Sequence, residues 1–514
     1  MIEIYIDRYY SKIKNLNDDL IERFKYDYKI EITAVETLNN INKFKAFCLS
    51  DINSEHGLYS VSEYKNFELS VLTGNVYDIV KVLKQLKIKF KIYKSYKASF
   101  NPVYNNHLSL RDNQIDLVQT ALKYKRCLIE APTAFGKTRS IAEFLYQFNK
   151  ERQRADGRGQ KVELSAVCPS SEASSADPSE SLDGVNSLVL VPRIELLYQT
   201  NKVLAQYLKV EIGIIGDNKF DTKRITVASI DTLFSKIKND STKVLNYLSS
   251  VKVVVADEAH EYANFKSSLV FKTLLNCEYY LGVSATLCIK NLPLLTGLIG
   301  PFIKQYKIED AIKNKSILEP VIKFKQLKGL ANSKKPDFSY SAYNKHYYKY
   351  IVNNTKRNQQ IAEIAEELIN SNQVPFLILV KIVGTTKNNK ASHAKNINAE
   401  LIKKNIYLPI LHGQSSNRSE VIEQLNTSSI LGAIASSKII GTGVDIPSIK
   451  AIILAAAGSS NKEFIQNVGR ALRGEDKNER PLIYDFYDIN SFFYSQSEKR
   501  YQLAKELYTD VNII

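Results

Sequence analysis

Residues 131–138 read Ala131-Pro132-Thr133-Ala134-Phe135-Gly136-Lys137-Thr138 and come directly after the apolar run Cys127-Leu128-Ile129. Small residues in such a loop let backbone N–H groups close around phosphates, a lysine at Lys137 reaches the outer phosphates, and a hydroxyl at Thr138 can ligate magnesium. The first position is Ala131 rather than the glycine of the general pattern. Asp257-Glu258-Ala259-His260 follows a second apolar run, Val251–Val255. At the carboxyl end of a strand Asp257 can hold magnesium. Glu258 is then placed to orient and polarise an attacking water, because phosphoryl transfer asks the protein mainly for positioning and charge neutralisation. Read alone, the acidic pair is also compatible with a solvated turn. With the phosphate loop it points to hydrolysis of a nucleoside triphosphate, with ATP and magnesium as the expected cofactors.

These residues need a scaffold that presents loops at one edge of a sheet. Ser140–Phe148, with Ile141, Phe144, Leu145 and Phe148 in helical period, supplies a helix whose N-terminus faces the phosphates. From about 106 to 310, strands are predicted at Arg126–Glu130, Ser187–Val191, Ile225–Ala228, Val251–Asp257 and Tyr280–Ser284, separated by helical segments. The rhythm recurs from about 317 to 490, with apolar runs at Pro375–Val380, Leu408–Leu411, Ser429–Ala435, Ala451–Ala456 and Pro481–Asp485. Such alternation predicts two tandem α/β domains with parallel sheets. Residues 1–105 predict a small α+β domain, with runs at Ile2–Ile6, Ile30–Val35, Phe44–Leu49 and Phe67–Leu72 and a helix over Val76–Leu86. Its segment Lys87–Lys94 alternates basic and apolar residues as a half-buried strand with a cationic face, which could meet phosphates or merely water. Residues 151–185 are rich in Ser, Ala, Asp, Glu and Pro, lack Ile, Phe, Tyr and Asn, and predict a disordered surface insertion. Gly384–Ser392 reads as a second, smaller loop insertion.

The whole chain has 514 residues, of which 44% are hydrophobic, enough for several cores without disulfides. Its five cysteines lack paired spacing, which suggests neither a zinc site nor a disulfide framework and predicts a reducing, cytoplasmic setting, the host cytoplasm if the gene is a phage's. The N-terminus lacks the order of a secretory signal, and stretches such as 291–303 fall short of the roughly 20 apolar residues that span a bilayer, so no membrane partner is expected. Seventy Lys and Arg against 54 Asp and Glu leave a net charge of +16, which favours an extended polyanion as partner, although a lysine-rich composition inherited from an AT-rich genome reads the same way.

Further segments in order carry a resemblance to superfamily 2 helicases. Gln114 occupies the place of the family's adenine-reading glutamine. Leu190–Leu196, with Arg193, and Val227–Leu233, with Thr232, are similar to the strand-contacting motifs of the first domain, although Arg193 departs from the threonine often seen there. Ser284-Ala285-Thr286 is similar to the motif that couples hydrolysis to movement. Leu411-His412-Gly413, followed by Arg418, is similar to an element of the second domain, and Gly441–Pro447, with Gly443 and Asp445, to the fifth motif. Gln466-Asn467-Val468-Gly469-Arg470-Ala471-Leu472-Arg473 places Gln466, Arg470 and Arg473 on one helical face, as arginine fingers across a cleft from the phosphate loop would be. Residue by residue other readings stay open: His260 and His412 read equally as coupling or structural histidines, Arg470 and Arg473 as a salt-bridged surface, and the tyrosine-rich stretch 340–350 as a base-stacking surface or a helix packed on the core.

The resemblance implies two RecA-like domains, at 106–312 and 313–492, preceded by the α+β domain 1–105 and followed by a helical tail over 493–514. Within the family the XPB/UvsW-like group fits best, above all the UvsW-like phage enzymes. What this implies is an ATP-driven, monomeric enzyme on branched or forked DNA in recombination, replication and repair, working with other proteins of those processes. An RNA helicase, the motor of a restriction-type complex and an ATP-sensing nucleic-acid clamp are the alternatives.

Overall fold

The computed structural model describes residues 2–6, 10–14, 61–65, 68–94, 102–155, 185–287, 291–328, 340–384, 392–412, 417–437, 446–472, 479–489 and 493–514, apart from isolated positions, together with Ser415. The chain divides into two compact units, one of Met1–Ala131 and Gly136–Gln305 and one of Pro132–Phe135 and Tyr306–Ile514.

The first unit holds two sheets. β1 (Ile2–Ile6), β2 (Tyr10–Lys14), β3 (Val61–Lys65), β4 (Glu68–Leu72) and β5 (Phe90–Lys94) form a five-stranded sheet in the order β3-β4-β2-β1-β5. Only β1 and β5 pair in parallel. The helix Val76–Gln85 covers one face, burying Val76, Ile79 and Leu83 against Ile2, Ile4 and Ile13. Residues 30–35 and 44–49, two of the expected apolar runs, lie outside the described residues, and β2 was not among the expected strands. This small domain docks on the helix Leu292–Leu298 through a close backbone approach: a Cβ at Gly74 would stand 1.9 Å from the Thr296 carbonyl. Beside it the Thr296 hydroxyl donates to Asn75 Oδ1 at 2.8 Å.

The second sheet of this unit runs β13-β6-β12-β11-β7-β10-β8-β9. Its strands are β6 (Arg126–Glu130), β7 (Ser187–Val191), β8 (Gly213–Gly216), β9 (Lys219–Asp221), β10 (Ile225–Ser229), β11 (Val253–Asp257), β12 (Tyr279–Ser284) and β13 (Phe302–Gln305). All neighbours are parallel except β8 and β9. Buried on both faces, the strands read as continuous apolar runs, which is why their positions were legible. Each buried Val of β11 contributes about 1.5–3 kcal/mol. The helix after the phosphate loop runs Lys137–Ala155, past Phe148 and into the segment expected as an insertion; residues 156–184 lie outside the described residues.

The second unit is built on β16-β17-β15-β18-β19-β14-β20, parallel throughout. The strands are β14 (Val321–Lys328), β15 (Phe376–Val380), β16 (Ile410–Leu411), β17 (Gly432–Ser436), β18 (Ala451–Leu454), β19 (Leu482–Ile489) and β20 (Asp510–Ile513). The tail expected as helical contains the helix Tyr494–Leu507 and then returns as β20 beside β14. Arg500 pins that helix to β19 by a bidentate bond to Asp485, at 2.7 and 3.0 Å. The tyrosine-rich segment forms the helix Tyr340–Tyr347 and a π-helical turn Tyr348–Val352, with Tyr347, Ile351 and Val352 buried against Phe493 and Ala457. This agrees with packing on the core. No helix among the described residues is long and apolar enough to cross a membrane.

Candidate nucleotide site and its coupling network

The strand order decides which loops meet. β12 lies between β6 and β11, with Ser284 in register with Glu130 and Val283 with Asp257. The phosphate loop, the acidic pair and Ser284-Ala285-Thr286 therefore leave the sheet at one edge, the carboxyl edge where open α/β folds bind ligands. Gly282 permits this close set: a Cβ there would meet Leu128 Cδ2 at 2.4 Å.

Within the loop two residues take left-handed backbone, Ala134 at φ 65° and Gly136 at φ 87°. Such alternation turns successive N–H groups toward one concavity, a nest suited to anions. Ala131 N–H donates to the Ser284 carbonyl at 2.8 Å, which ties the loop's first residue to the neighbouring strand. Lys137 opens the helix, its Nζ 3.4 Å from the Ala131 carbonyl, and Thr138 sits half-buried beside it. Pro132, Thr133 and Phe135 are buried.

Asp257 ends β11 and accepts the Glu258 N–H on Oδ1 at 3.0 Å. Burial raises its pKa to about 6; the Glu258 carboxylate adds to the rise, and Lys137, the Glu258 N–H and His260 oppose it. Glu258 takes left-handed backbone, φ 52° and ψ 51°, which turns the chain sharply after the strand. Its Oε2 is buried without a hydrogen-bond partner and lies 3.5 Å from His260 Nδ1.

His260 is the hub. Its Nδ1 shares a 2.6 Å hydrogen bond with Ser284 Oγ and its Nε2 a 3.1 Å bond with Glu261 Oε1. Ser284 Oγ in turn donates to the Thr286 carbonyl at 2.8 Å and receives the Thr286 N–H at 3.2 Å. The acidic segment and Ser284-Ala285-Thr286 thus form one hydrogen-bonded unit.

Gln114 is buried in the first turn of the helix Asp112–Tyr124. Its Oε1 accepts the Arg111 N–H at 3.2 Å and its Nε2 lies 3.4 Å from the Gly136 carbonyl. Arg193 is exposed at the start of the helix Ile194–Leu208, and Thr232 is half-buried in the helix Ile230–Lys238. Neither belongs to the hydrogen-bonded unit around His260.

In the second unit the helix Asn461–Ala471 buries Phe464, Val468 and Ala471 and leaves Gln466 and Arg470 half-buried. His412 is exposed at the end of β16, where its N–H donates to Ser415 Oγ at 2.9 Å. Gly413, Gly443, Asp445 and Arg473 lie outside the described residues.

Two family models match the chain: Type III restriction enzyme, res subunit, over residues 107–288, and Helicase conserved C-terminal domain over residues 362–475. The DNA 3'-5' translocase XPB2 of Sulfurisphaera tokodaii is 23% identical over 89% of this chain and 98% of its own length. By these two domain matches this chain is a superfamily 2 helicase. It is therefore an ATP-dependent helicase. Among solved structures, the ATP-dependent Type ISP restriction-modification enzyme LlaBIII bound to DNA aligns with 85% of this chain and 34% of its own at TM-score 0.51 and 12% identity. The phage T4 UvsW crystal structure aligns with 100% of this chain and 99% of its own at TM-score 0.38 and 16% identity.

This helicase also holds its site with residues that the motif pattern did not single out. Glu143, fully buried on the helix after the phosphate loop, accepts the N–H groups of His107 and Leu108 at 3.1 and 2.7 Å and a hydrogen bond from Gln147. Gln147 pairs with the backbone of Asn105, and Arg139 donates to the Leu108 carbonyl at 2.5 Å. The strand of chain that leads to Gln114 is thereby strapped to the helix that begins at Lys137. Glu130 is a second such residue, accepting the Leu287 N–H at 2.7 Å beyond Thr286. The available signal was a carboxylate on the apolar side of a helix, where burial demands donors.

Proposed function

We propose that this helicase is a DNA motor that remodels branched DNA, including forks, displacement loops and Holliday junctions, in recombination, replication and repair. The observation that carries the motor reading is the His260–Ser284 hydrogen bond, which joins the acidic pair to Ser284-Ala285-Thr286. Lys137 and the loop 131–138 hold the triphosphate, Gln114 reads adenine, and Glu258 positions the attacking water. Magnesium fits the donors present: Asp257 and Thr138 offer hard oxygens, and a carboxylate whose proton affinity is raised by burial is one that a cation would relieve. When bound, magnesium neutralises charge on the outer phosphates.

On the second unit, the proposed roles are arginine fingers for Arg470 and Arg473, catalysis beside them for Gln466, and nucleotide binding for Gly443 and Asp445. Arg193, Thr232, His412 and Gly413 contact or couple to the nucleic acid. The domains are 1–105, 106–312, 313–492 and the tail 493–514. DNA as substrate is supported by the similarity to the DNA 3'-5' translocase XPB2 and by the net charge of +16. Measuring ATPase stimulation by single-stranded DNA, duplex, Holliday junction and RNA side by side tests the reading. Forked and four-way DNA should stimulate most; stimulation by RNA above every DNA would replace it with an RNA helicase.

A further inference from the structure

The amino-terminal sheet covers one face with the helix Val76–Gln85, while Tyr5, Lys12, Lys89, Lys91 and Tyr93 of its outer face are exposed. On that outer face alternation along the strands sets Tyr5 beside Tyr93 across the parallel β1–β5 pair, and Lys12 opposite Tyr5 across the antiparallel β1–β2 pair. The two tyrosine rings stack, with centroids 4.9 Å apart and planes 16° from parallel. They are nonetheless 37% and 40% exposed. Lys14 Nζ stands 5.1 Å from the Tyr5 ring, and Lys12, Lys89 and Lys91 are exposed around the pair. In backbone register, Glu3 pairs with Lys14 and Lys91, and Glu68 with Lys14.

An exposed aromatic stack is apolar surface that water disfavours, and here four lysines stand around it. A protein core partner would not want four lysines. A polyanion whose units also carry flat rings satisfies both features at once, with bases extending the tyrosine stack and phosphates meeting the lysines. β5 ends the sheet order, so Tyr93 is the ring nearer the edge and the one that a base can join. Duplex DNA hides its bases within its own stack and offers this surface only phosphates.

We infer that the outer face of the amino-terminal sheet binds an unpaired DNA strand, with Tyr93 and Tyr5 stacking its bases and Lys12, Lys14, Lys89 and Lys91 meeting its phosphates. The inference deepens the branched-DNA reading and rests on it: a junction that is being opened supplies unpaired strand next to duplex, and this face would hold that strand outside the motor. Two readouts on the full chain test it. An oligodeoxythymidylate carrying 5-iodouracil should photocrosslink to the peptide containing Tyr93 or that containing Tyr5; crosslinks confined to residues beyond 105 would overturn the assignment.

In the second readout Tyr93→Ala should weaken binding of the same strand roughly 5- to 150-fold, the equivalent of about 1–3 kcal/mol for one base stack, while Tyr93→Phe restores it. An unchanged thermal melting curve identifies variants that fold. Equal weakening for a blunt duplex of the same length would also overturn the inference, since that outcome reports phosphates alone. Binding is read without ATP, so the two proposals separate. A wild type whose ATPase ignores all DNA refutes the branched-DNA motor, whereas a wild type stimulated by DNA alongside a Tyr93→Ala that binds and crosslinks normally refutes only this face.

Discussion

Asp257→Asn should make the nucleotide-free protein more stable at neutral pH while ending its ATPase. The carboxylate is held at the end of β11 by burial and beside Glu258, and its pKa rises from 3.8 to about 6. A raised carboxylate pKa means that the folded state binds its proton more tightly than the unfolded state. Ionisation therefore costs stability, and the cost grows as pH climbs from about 4 to about 6. That rise in pKa corresponds to about 3 kcal/mol above pH 7 and to about half of that near pH 5. Asparagine has no charge to desolvate and its Oδ1 can still accept the Glu258 N–H, the 3.0 Å bond seen for Asp257. The substitution should thus raise the melting temperature of the first unit by several degrees at pH 7.5 and by less at pH 5. Differential scanning calorimetry of wild type and Asp257→Asn at both pH values, without nucleotide or divalent ion, measures it. A destabilised variant, or a gain that does not shrink with acid, would refute the claim that Asp257 is an electrostatically strained carboxylate, on which its proposed role as a cation ligand rests.

The remaining roles give sharper losses. Lys137→Ala should abolish hydrolysis and weaken ATP binding, whereas Glu258→Gln should retain bound ATP and stop turnover; equilibrium binding of a labelled nucleotide beside single-turnover hydrolysis separates the two. Arg470→Ala should lower kcat by about 10³ or more while nucleic-acid binding survives, in keeping with the loss of a finger; a change within a few-fold would remove that role. Ser284→Ala takes away the 2.6 Å partner of His260 and should leave ATPase within a few-fold of wild type while strand displacement falls further, read as base pairs opened per ATP. Glu143→Gln keeps one acceptor oxygen for the N–H groups of His107 and Leu108 and should raise KM for ATP about 5- to 10-fold with little change in kcat.

Much of the scaffold was legible because a parallel sheet buried on both faces leaves unbroken apolar runs. β6 and β7 fall where the runs placed them, and β10, β11 and β12 differ at their ends. β8 was missed because Gly213 and Gly216 bound a run of two isoleucines, too short to separate from a turn. β14 was missed because lysines alternate with its apolar residues, and β20 because its four residues carry an Asp and an Asn. Lys87–Lys94 was read as a half-buried strand, yet all of Lys91, Ile92, Tyr93 and Lys94 are exposed, since a strand at the end of a sheet has a neighbour on one side only.

The phosphate loop, the acidic pair and their places after strands are properties of contiguous segments, so chain order alone determined them, together with the helix face that joins Gln466 to Arg470. What contiguous segments do not contain is which strands become neighbours. That β12 inserts between β6 and β11, and so brings Ser284 to His260 across 24 residues, follows from the assembled sheet. The Glu143 strap and the Tyr5–Tyr93 stack arise in the same way, because the free energy of those contacts exists only once distant segments have been brought together.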